Sequence, residues 1–213
     1  MLRRSFIAAL AFSALLVALP PARGQDAWEQ QADRLAALLN WHPGSVVAEI
    51  GAGDGELTAL AADRVGPSGR VYTTELNSEK LKHLKELAAK TGNITALKAA
   101  VAATNLPPDC CDSIFMRTVY HHFTKPAEID ASLFQSLRPG GRLAVIDREP
   151  PPGSSVPEGV PGNRGGHGMP QKLLITELTA AGFQLEAVHD DWPGRSEVYK
   201  TYCVVFRKPD SPR

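Results

Sequence analysis

The sequence has few cysteines and no excess of charge of either sign. Its 213 residues include three cysteines, and 23 basic residues balance 23 acidic ones. An odd number of cysteines does not make the disulfide framework that holds small secreted domains together. Balanced charge offers no basic surface for nucleic acid. With 43% hydrophobic residues, a chain of this length is expected to bury one sizeable core.

Two of the cysteines, Cys110 and Cys111, are adjacent in the chain. Neighbouring cysteines can pair only through a strained ring, so we expect two thiols here. The sequence has no C-x-x-C motif, and no group of histidines and cysteines has the spacing of a zinc site. The spacing therefore predicts no metal site.

The N-terminus carries the one long apolar run. Residues 1–4 include the basic pair Arg3-Arg4, residues 6–19 are almost wholly apolar, and Ala22 and Gly24 are small residues suited to cleavage. This layout predicts a signal peptide over residues 1–24 and a protein exported to the periplasm or beyond. The apolar run is short for a transmembrane helix, although an uncleaved anchor is the alternative. Arg3-Arg4 also resembles a twin-arginine export signal.

The rest of the chain, residues 25–213, alternates between helix-like and strand-like segments and is predicted to form a single domain. Segments with apolar residues at helical spacing follow short buried runs, and the connections between them are short. This alternation predicts a doubly wound α/β fold with a mostly parallel sheet of seven strands. The proline- and glycine-rich residues 149–170 have no periodicity and are predicted to form a lid or a mobile insert.

The most informative stretch is the sequence VVAEIGAGDGELT at residues 46–58. It is typical of a buried strand, a glycine turn and the start of a helix. Gly51, Gly53 and Gly55 remove side chains from the turn, so a ligand can approach bare backbone and the helix N-terminus. A dinucleotide fingerprint has the form G-x-G-x-x-G, and Glu56 stands where its third glycine belongs.

Two acidic residues accompany this glycine turn. Glu49 precedes Gly51 by two positions, and Glu75 ends the next strand-like run. A carboxylate at the tip of the second strand can accept hydrogen bonds from both hydroxyls of a ribose. Together these residues resemble the class I S-adenosylmethionine-dependent methyltransferases, and in particular the branch that methylates quinones and related small molecules.

This resemblance implies a sheet with an antiparallel last strand, the cofactor S-adenosylmethionine, and a set of cofactor contacts. The glycines would approach the methionine and ribose portions, Glu49 the ammonium group, Glu75 the ribose, and Leu76 the adenine. The cofactor-binding residues implied are Glu49, Gly51, Gly53, Asp54, Gly55, Glu75 and Leu76.

The sequence departs from the family at the adenine. The family often has an acid after the third strand, whereas residues 99–102 here are Ala, Ala, Val and Ala. Adenine recognition is therefore expected to come from the backbone, from Thr104 or from Asn105.

The acceptor side is expected after the fourth strand, because ligands lie beyond the carboxyl ends of the strands in such a sheet. The residues there are Tyr120, His121 and His122. An imidazole titrates near neutral pH and can act as a base, so His121 is the preferred candidate and His122 the next. His167, between glycines in the predicted lid, completes the catalytic set. The alternative for each histidine is a structural role.

The leading hypothesis is an exported methyltransferase that acts on a small molecule by in-line displacement, with no nucleic-acid partner and no membrane span after signal cleavage. An exported enzyme must obtain its donor outside the cytoplasm, so the second hypothesis is a non-catalytic binding module with the same fold. A nicotinamide oxidoreductase is disfavoured by Glu56 and by the lack of a Tyr-x-x-x-Lys pair. Arsenite methylation is disfavoured because Cys110 and Cys111 are expected at the far end of the fourth strand.

Overall fold

The computed structural model describes residues 23–193 and 200–210, with side chains from residue 27 onwards. The helices of this part are α1 (Arg23–Leu39), α2 (Glu56–Val65), α3 (Ser78–Thr91), α4 (Pro126–Ser136) and α5 (Gln171–Ala180). The strands are β1 (Val46–Ile50), β2 (Arg70–Glu75), β3 (Ile94–Lys98), β4 (Cys111–Arg117), β5 (Leu137–Arg148), β6 (Gln184–His189) and β7 (Thr201–Arg207). The predicted signal peptide lies outside the described residues, apart from the two that begin α1.

The strands form one seven-stranded sheet in the order β3-β2-β1-β4-β5-β7-β6. Strands β1 to β5 pair in parallel, and β7 runs antiparallel to both of its neighbours. The predicted α/β fold, with a mostly parallel sheet and an antiparallel last strand, is confirmed. The strand order reverses between β1 and β4, which is where a ligand crevice opens in doubly wound sheets.

Both faces of the sheet are covered, because successive side chains of a strand point to opposite faces. Val47 and Phe115 pack with α1 and α2 on one face, while Ala48 and Ile114 join the core on the other. In the described residues, no helix has the length and apolar character needed to cross a lipid bilayer.

The start of β5 differs from what its sequence favours. Pro139, Gly140 and Gly141 are residues typical of a turn. Nevertheless β5 begins at Leu137, which pairs with Cys111 before the register shifts towards Ser113. Gly140 enters the left-handed region with φ +77°, which lets the chain bend within this irregular start.

The adjacent cysteines differ from expectation. Cys110 and Cys111 are joined by a disulfide instead of forming two thiols. They lie at the amino end of β4, as predicted, whereas Arg117 ends that strand at the opposite edge of the sheet. Cys203 is a free thiol in β7, and burial raises its pKa to about 12.

The 149–170 segment packs against the domain through one buried cation. The Arg164 guanidinium is fully buried and donates to the Glu177 carboxylate of α5 at 2.9 Å. It also donates to the Met169 sulfur and lies 5.0 Å above the Tyr120 ring. The segment is thus anchored to the domain through Arg164.

Removing this anchor is expected to destabilise the protein. Arg164→Ala leaves the Glu177 carboxylate next to an apolar cavity without its cation, so we expect a loss of ~3 kcal/mol in the free energy of unfolding. Arg138→Ala is the matched control, because the pair it forms with Asp112 is partly exposed and is worth at most ~1 kcal/mol. Urea denaturation measures both, and equal losses would contradict the anchor.

Candidate functional site

A cavity of about 890 Å³ opens at the carboxyl ends of β1, β2 and β4, where the strand order reverses. Its volume suits a ligand of nucleoside size. The predicted cofactor-binding residues that line it are Glu49, Gly51, Gly53, Asp54, Glu75 and Leu76. Gly55 does not line it. The fold therefore brings together nearly all of the residues that were predicted from the glycine turn and the two acids.

The Glu75 carboxylate is held directly against the glycine turn. One of its oxygens, Oε2, accepts a hydrogen bond from the Gly53 amide at 3.0 Å. The other, Oε1, accepts from the Leu76 and Asn77 amides at 2.8 and 2.9 Å. Since each carboxylate oxygen can accept about two hydrogen bonds, Oε2 keeps a free acceptor position next to the turn.

The three glycines of the turn serve two different purposes. Gly53 has φ +61°, and a β-carbon there would approach only the Lys80 ammonium, at 3.7 Å. A β-carbon at Gly51 would lie 2.6 Å from Val119, and one at Gly55 would lie 2.8 Å from Leu84. Gly53 therefore keeps the turn open to a ligand, whereas Gly51 and Gly55 are required by packing within the protein.

Glu49 lies at the bottom of the cavity and is almost fully buried. The Thr58 hydroxyl donates a hydrogen bond to its carboxylate, and that hydroxyl also lies 3.1 Å from Thr73 Oγ1. Burial raises the pKa of Glu49 to about 8, against the lowering effect of the Thr58 hydrogen bond. A cationic ligand group beside this carboxylate would favour its charged form.

The far end of the cavity is apolar. Leu76 and Val101 are 54% and 55% exposed, and Ala99 and Ala100 also line this end. The Thr104 hydroxyl, which was a candidate for adenine recognition, is hydrogen-bonded to Ser132 at 2.9 Å. Asn105, the other candidate, does not line the cavity and donates to the Lys98 carbonyl instead.

Tyr120 and His121 were predicted to be catalytic, but neither lines the cavity. Tyr120 is fully buried, and its hydroxyl lies 2.9 Å from Asp130 and 3.0 Å from Glu177. Burial raises the pKa of Tyr120 well above its usual range. His121 is also buried, and its Nδ1 lies 2.9 Å from the Asp147 carboxylate. Tyr120 therefore belongs to the anchor of the 149–170 segment.

His122 is the histidine of this pair that lines the cavity. Its side chain is largely exposed. The pKa of His122 is lowered, mainly because its ring is partly desolvated and secondly because the charge of the neighbouring His121 disfavours a second positive charge. His167 is exposed on the 149–170 segment, with its ring 6.1 Å from that of His122. The ligand nitrogens of these two residues and His121 lie within 4.8 Å of one another. Spacing alone did not predict this cluster, because His167 is far away in the chain.

Two helix residues that the sequence did not single out, Trp28 and Lys80, also line the cavity. Trp28 of α1 lines the cavity beneath the Arg117 guanidinium, which lies 4.8 Å from its ring. Lys80 of α3 lies 3.7 Å from Asp54 at the mouth. No pattern around Trp28 and Lys80 separates them from ordinary residues of amphipathic helices. Arg117 had a detectable signal, since it ends a predicted strand.

Thr118 directly follows β4 and has a left-handed backbone, with φ +53°. This conformation is unusual for a β-branched residue and costs ~1–3 kcal/mol. Its amide donates to the Ile146 carbonyl at 2.7 Å, which holds the backbone at the cavity wall. Strain of this kind is concentrated where the backbone shapes a site.

Residues 48–145 match the family model for a methyltransferase domain. A 111-residue part of the chain is 31% identical to a ubiquinone/menaquinone biosynthesis C-methyltransferase of Marinomonas. That match covers 51% of this chain and 44% of the relative, so the chain spans less than half the length of the curated relatives it matches. These residues are therefore similar to a methyltransferase domain, in agreement with the resemblance seen in the sequence.

Solved structures share the fold over most of the chain. A SAM-dependent methyltransferase from Aquifex aeolicus has a TM-score of 0.65 at 23% identity, covering 83% of this chain and 88% of its own. A protein from Bordetella parapertussis, described as possibly exported, has a TM-score of 0.62 at 18% identity, covering 86% and 67%. These similarities show the architecture of the fold.

The raised pKa of Glu49 predicts a pH-dependent cost to stability. The folded chain keeps the Glu49 proton up to a pKa of about 8, whereas the unfolded chain loses it near 4.5. The contribution of Glu49 to the free energy of unfolding is therefore fully present below pH 4.5 and is lost as the pH rises towards 8. Glu49→Gln removes the loss, so its advantage over the wild type should grow across this window by at most ~1.4 kcal/mol per pH unit.

Urea denaturation at several pH values measures this difference. The control is Glu86→Gln on the exposed face of α3. A Glu49→Gln difference that stayed constant with pH would show that the carboxyl is already ionised in the folded protein.

Proposed function

We propose that the protein is an S-adenosylmethionine-dependent methyltransferase that acts on a small molecule. The observation that carries this proposal is the Glu75 carboxylate, which is fixed against Gly53 with one acceptor position free. A ribose hydroxyl needs such an acceptor, and the open glycine turn lets the rest of the nucleoside lie beside it. The match of residues 48–145 to a methyltransferase domain supports the same conclusion.

The lining of the cavity fits the cofactor at each of its parts. Glu75 Oε2 would accept a hydrogen bond from one ribose hydroxyl, and the exposed faces of Leu76 and Val101 would cover the adenine. Glu49 would balance the ammonium group, which also accounts for a carboxylate at the bottom of the cavity. The polar edge of adenine would be read by the backbone of residues 99–103. When bound, S-adenosylmethionine supplies an electrophilic methyl group.

The acceptor would lie on the side of the cavity lined by Thr118, His122 and Phe123. Methyl transfer requires an electron pair of the acceptor, either a heteroatom lone pair or the π electrons of an activated ring carbon, aligned with the breaking bond, and these residues would provide that alignment. The base role passes from His121 to His122, because His121 is buried on Asp147 while a neutral His122 imidazole faces the cavity. Similarity to ubiquinone and menaquinone C-methyltransferases supports a quinol-like aromatic acceptor.

The second candidate is a non-catalytic binding module, which is favoured because no acidic side chain lies at the adenine end of the cavity among the residues that the structure describes. Calorimetry with S-adenosylmethionine and a radiolabelled methyl-transfer assay over quinols, phenols and thiols separate the two. Binding with transfer supports the enzyme, and binding without transfer supports the module. Tighter binding of NADH than of S-adenosylmethionine would instead favour an oxidoreductase.

Export remains part of the proposal. Its support is the three-part pattern of residues 1–24 and the similarity to a Bordetella protein described as possibly exported. Mass spectrometry of the protein recovered from its native compartment would identify the mature N-terminus. A chain that still began at Met1 would contradict cleavage after Gly24.

A side chain at Gly53 is expected to block the donor. Gly53→Val places methyl groups where the ligand meets the turn, so we expect the affinity for S-adenosylmethionine to fall at least tenfold, which is ~1.4 kcal/mol. Gly92→Val is the matched control, because Gly92 also has a positive φ, with open space around its α-carbon, and ends α3 away from the cavity. Both variants carry similar backbone strain, so equal donor affinities by calorimetry would contradict the assignment.

Loss of the His122 imidazole is expected to affect turnover more than donor binding. For His122→Ala we expect methyl transfer to fall by ~10²-fold, in the range of general acid–base catalysis, with little change in donor affinity. His42→Ala, on an exposed loop, is the control. A wild-type rate of methyl transfer for His122→Ala would contradict the role of His122 as the base.

A further inference from the structure

We propose that His121, His122 and His167 form a binding site for a divalent transition-metal ion of the zinc type. The proposal concerns a cluster beside the cavity, and it requires neither a particular acceptor nor methyl transfer. It rests on the chemistry of three imidazoles, on the orientation of one of them by a buried carboxylate, and on the way the fold brings the third from a distant segment.

The three residues are of the right type and number. Their ligand nitrogens lie within 4.8 Å of one another. Three nitrogens on a tetrahedral zinc ion at ~2.0–2.1 Å lie ~3.4 Å apart, so the cluster must contract by about 1.4 Å at most. His122 and His167 are both exposed, which leaves their side chains room to make this adjustment around a buried His121.

Asp147 prepares His121 for coordination. Both oxygens of this buried carboxylate lie within 3.0 Å of His121 Nδ1. Asp147 is fixed in turn, because it accepts hydrogen bonds from the backbone amides of His121 and Arg148. A proton held on Nδ1 by a carboxylate leaves the lone pair on Nε2, as in the carboxylate–histidine pairs that support metal ligands.

The 149–170 segment is held where its histidine can take part. The Arg148 side chain donates to the His167 carbonyl at 2.6 Å, and the Met169 amide donates to the Arg148 carbonyl at 2.9 Å. A β-carbon at Gly168 would lie 2.7 Å from that same carbonyl, so this close passage requires glycine. An ion bound by all three histidines would therefore tie the segment to the end of β4.

The ion would also change the chemistry of the acceptor side. An imidazole nitrogen that coordinates a metal cannot accept a proton, so coordination removes His122 from the role of base. Three protein ligands leave a fourth position open, and an acceptor hydroxyl or thiol bound there would lose its proton more readily. The metal-bound acceptor would then release its proton to water, and His122 would no longer be needed to take it.

The test is zinc binding by the full chain, purified without a histidine tag and stripped with chelator. Calorimetric titration with Zn²⁺ alone is expected to show one ion per chain. His167→Ala and His122→Ala should each weaken binding at least tenfold, and Asp147→Asn should weaken it by ~10–100-fold through loss of orientation. His83→Ala, an exposed histidine of α3, should bind like the wild type.

A second readout does not depend on affinity. Zinc is expected to slow amide hydrogen exchange over residues 159–168 in the wild type and not in His167→Ala. Because the His167 side chain is exposed, this substitution should leave the core unchanged. The proposal is overturned if the wild type takes up no stoichiometric zinc, or if His167→Ala binds zinc as the wild type does. Neither result would bear on donor binding, so the proposed methyltransferase stands or falls separately.

Discussion

The site depends on one carboxylate that joins two neighbouring strands. Glu75 ends β2 and binds the Gly53 amide in the turn after β1, so the turn and the second strand tip are fixed as one unit. Because β1 and β2 pair in parallel, both of their carboxyl ends open on the same edge of the sheet. The remaining acceptor position of Glu75 is thereby aimed at the cavity before any ligand arrives, and this preorganisation limits the entropy lost on binding.

A buried polar network organises the other side of the site. Arg164 holds the 149–170 segment against Tyr120 and Glu177. His121, the residue after Tyr120, is held by the Asp147 carboxylate. Burying these groups is tolerable because nearly all of them are paired. The network explains why Tyr120 and His121 are buried, while the next residue in the chain, His122, faces the cavity.

Much of the fold and of the donor end could be predicted from the sequence. The glycine turn, Glu49 and Glu75 are close in the chain to the strands that position them, so local patterns were enough. The acceptor side was less predictable, since consecutive residues of a short 3-10 turn, Tyr120 to His122, point in different directions. Two free thiols were expected at Cys110 and Cys111, and this prediction was wrong because the two residues form a disulfide. The expectation considered only the strain of the small ring.

The sequence by itself determined the order of helices and strands, the parallel sheet and the edge where the cavity opens, since hydrophobic periodicity and glycine positions are local properties. Only the tertiary structure decided which histidine faces the cavity, that Trp28 and Lys80 reach it, and that His167 meets His121 and His122. The physical reason is that these contacts join residues far apart in the chain. Their meeting is set by how the helices and the 149–170 segment pack on the sheet, and no local pattern records that packing.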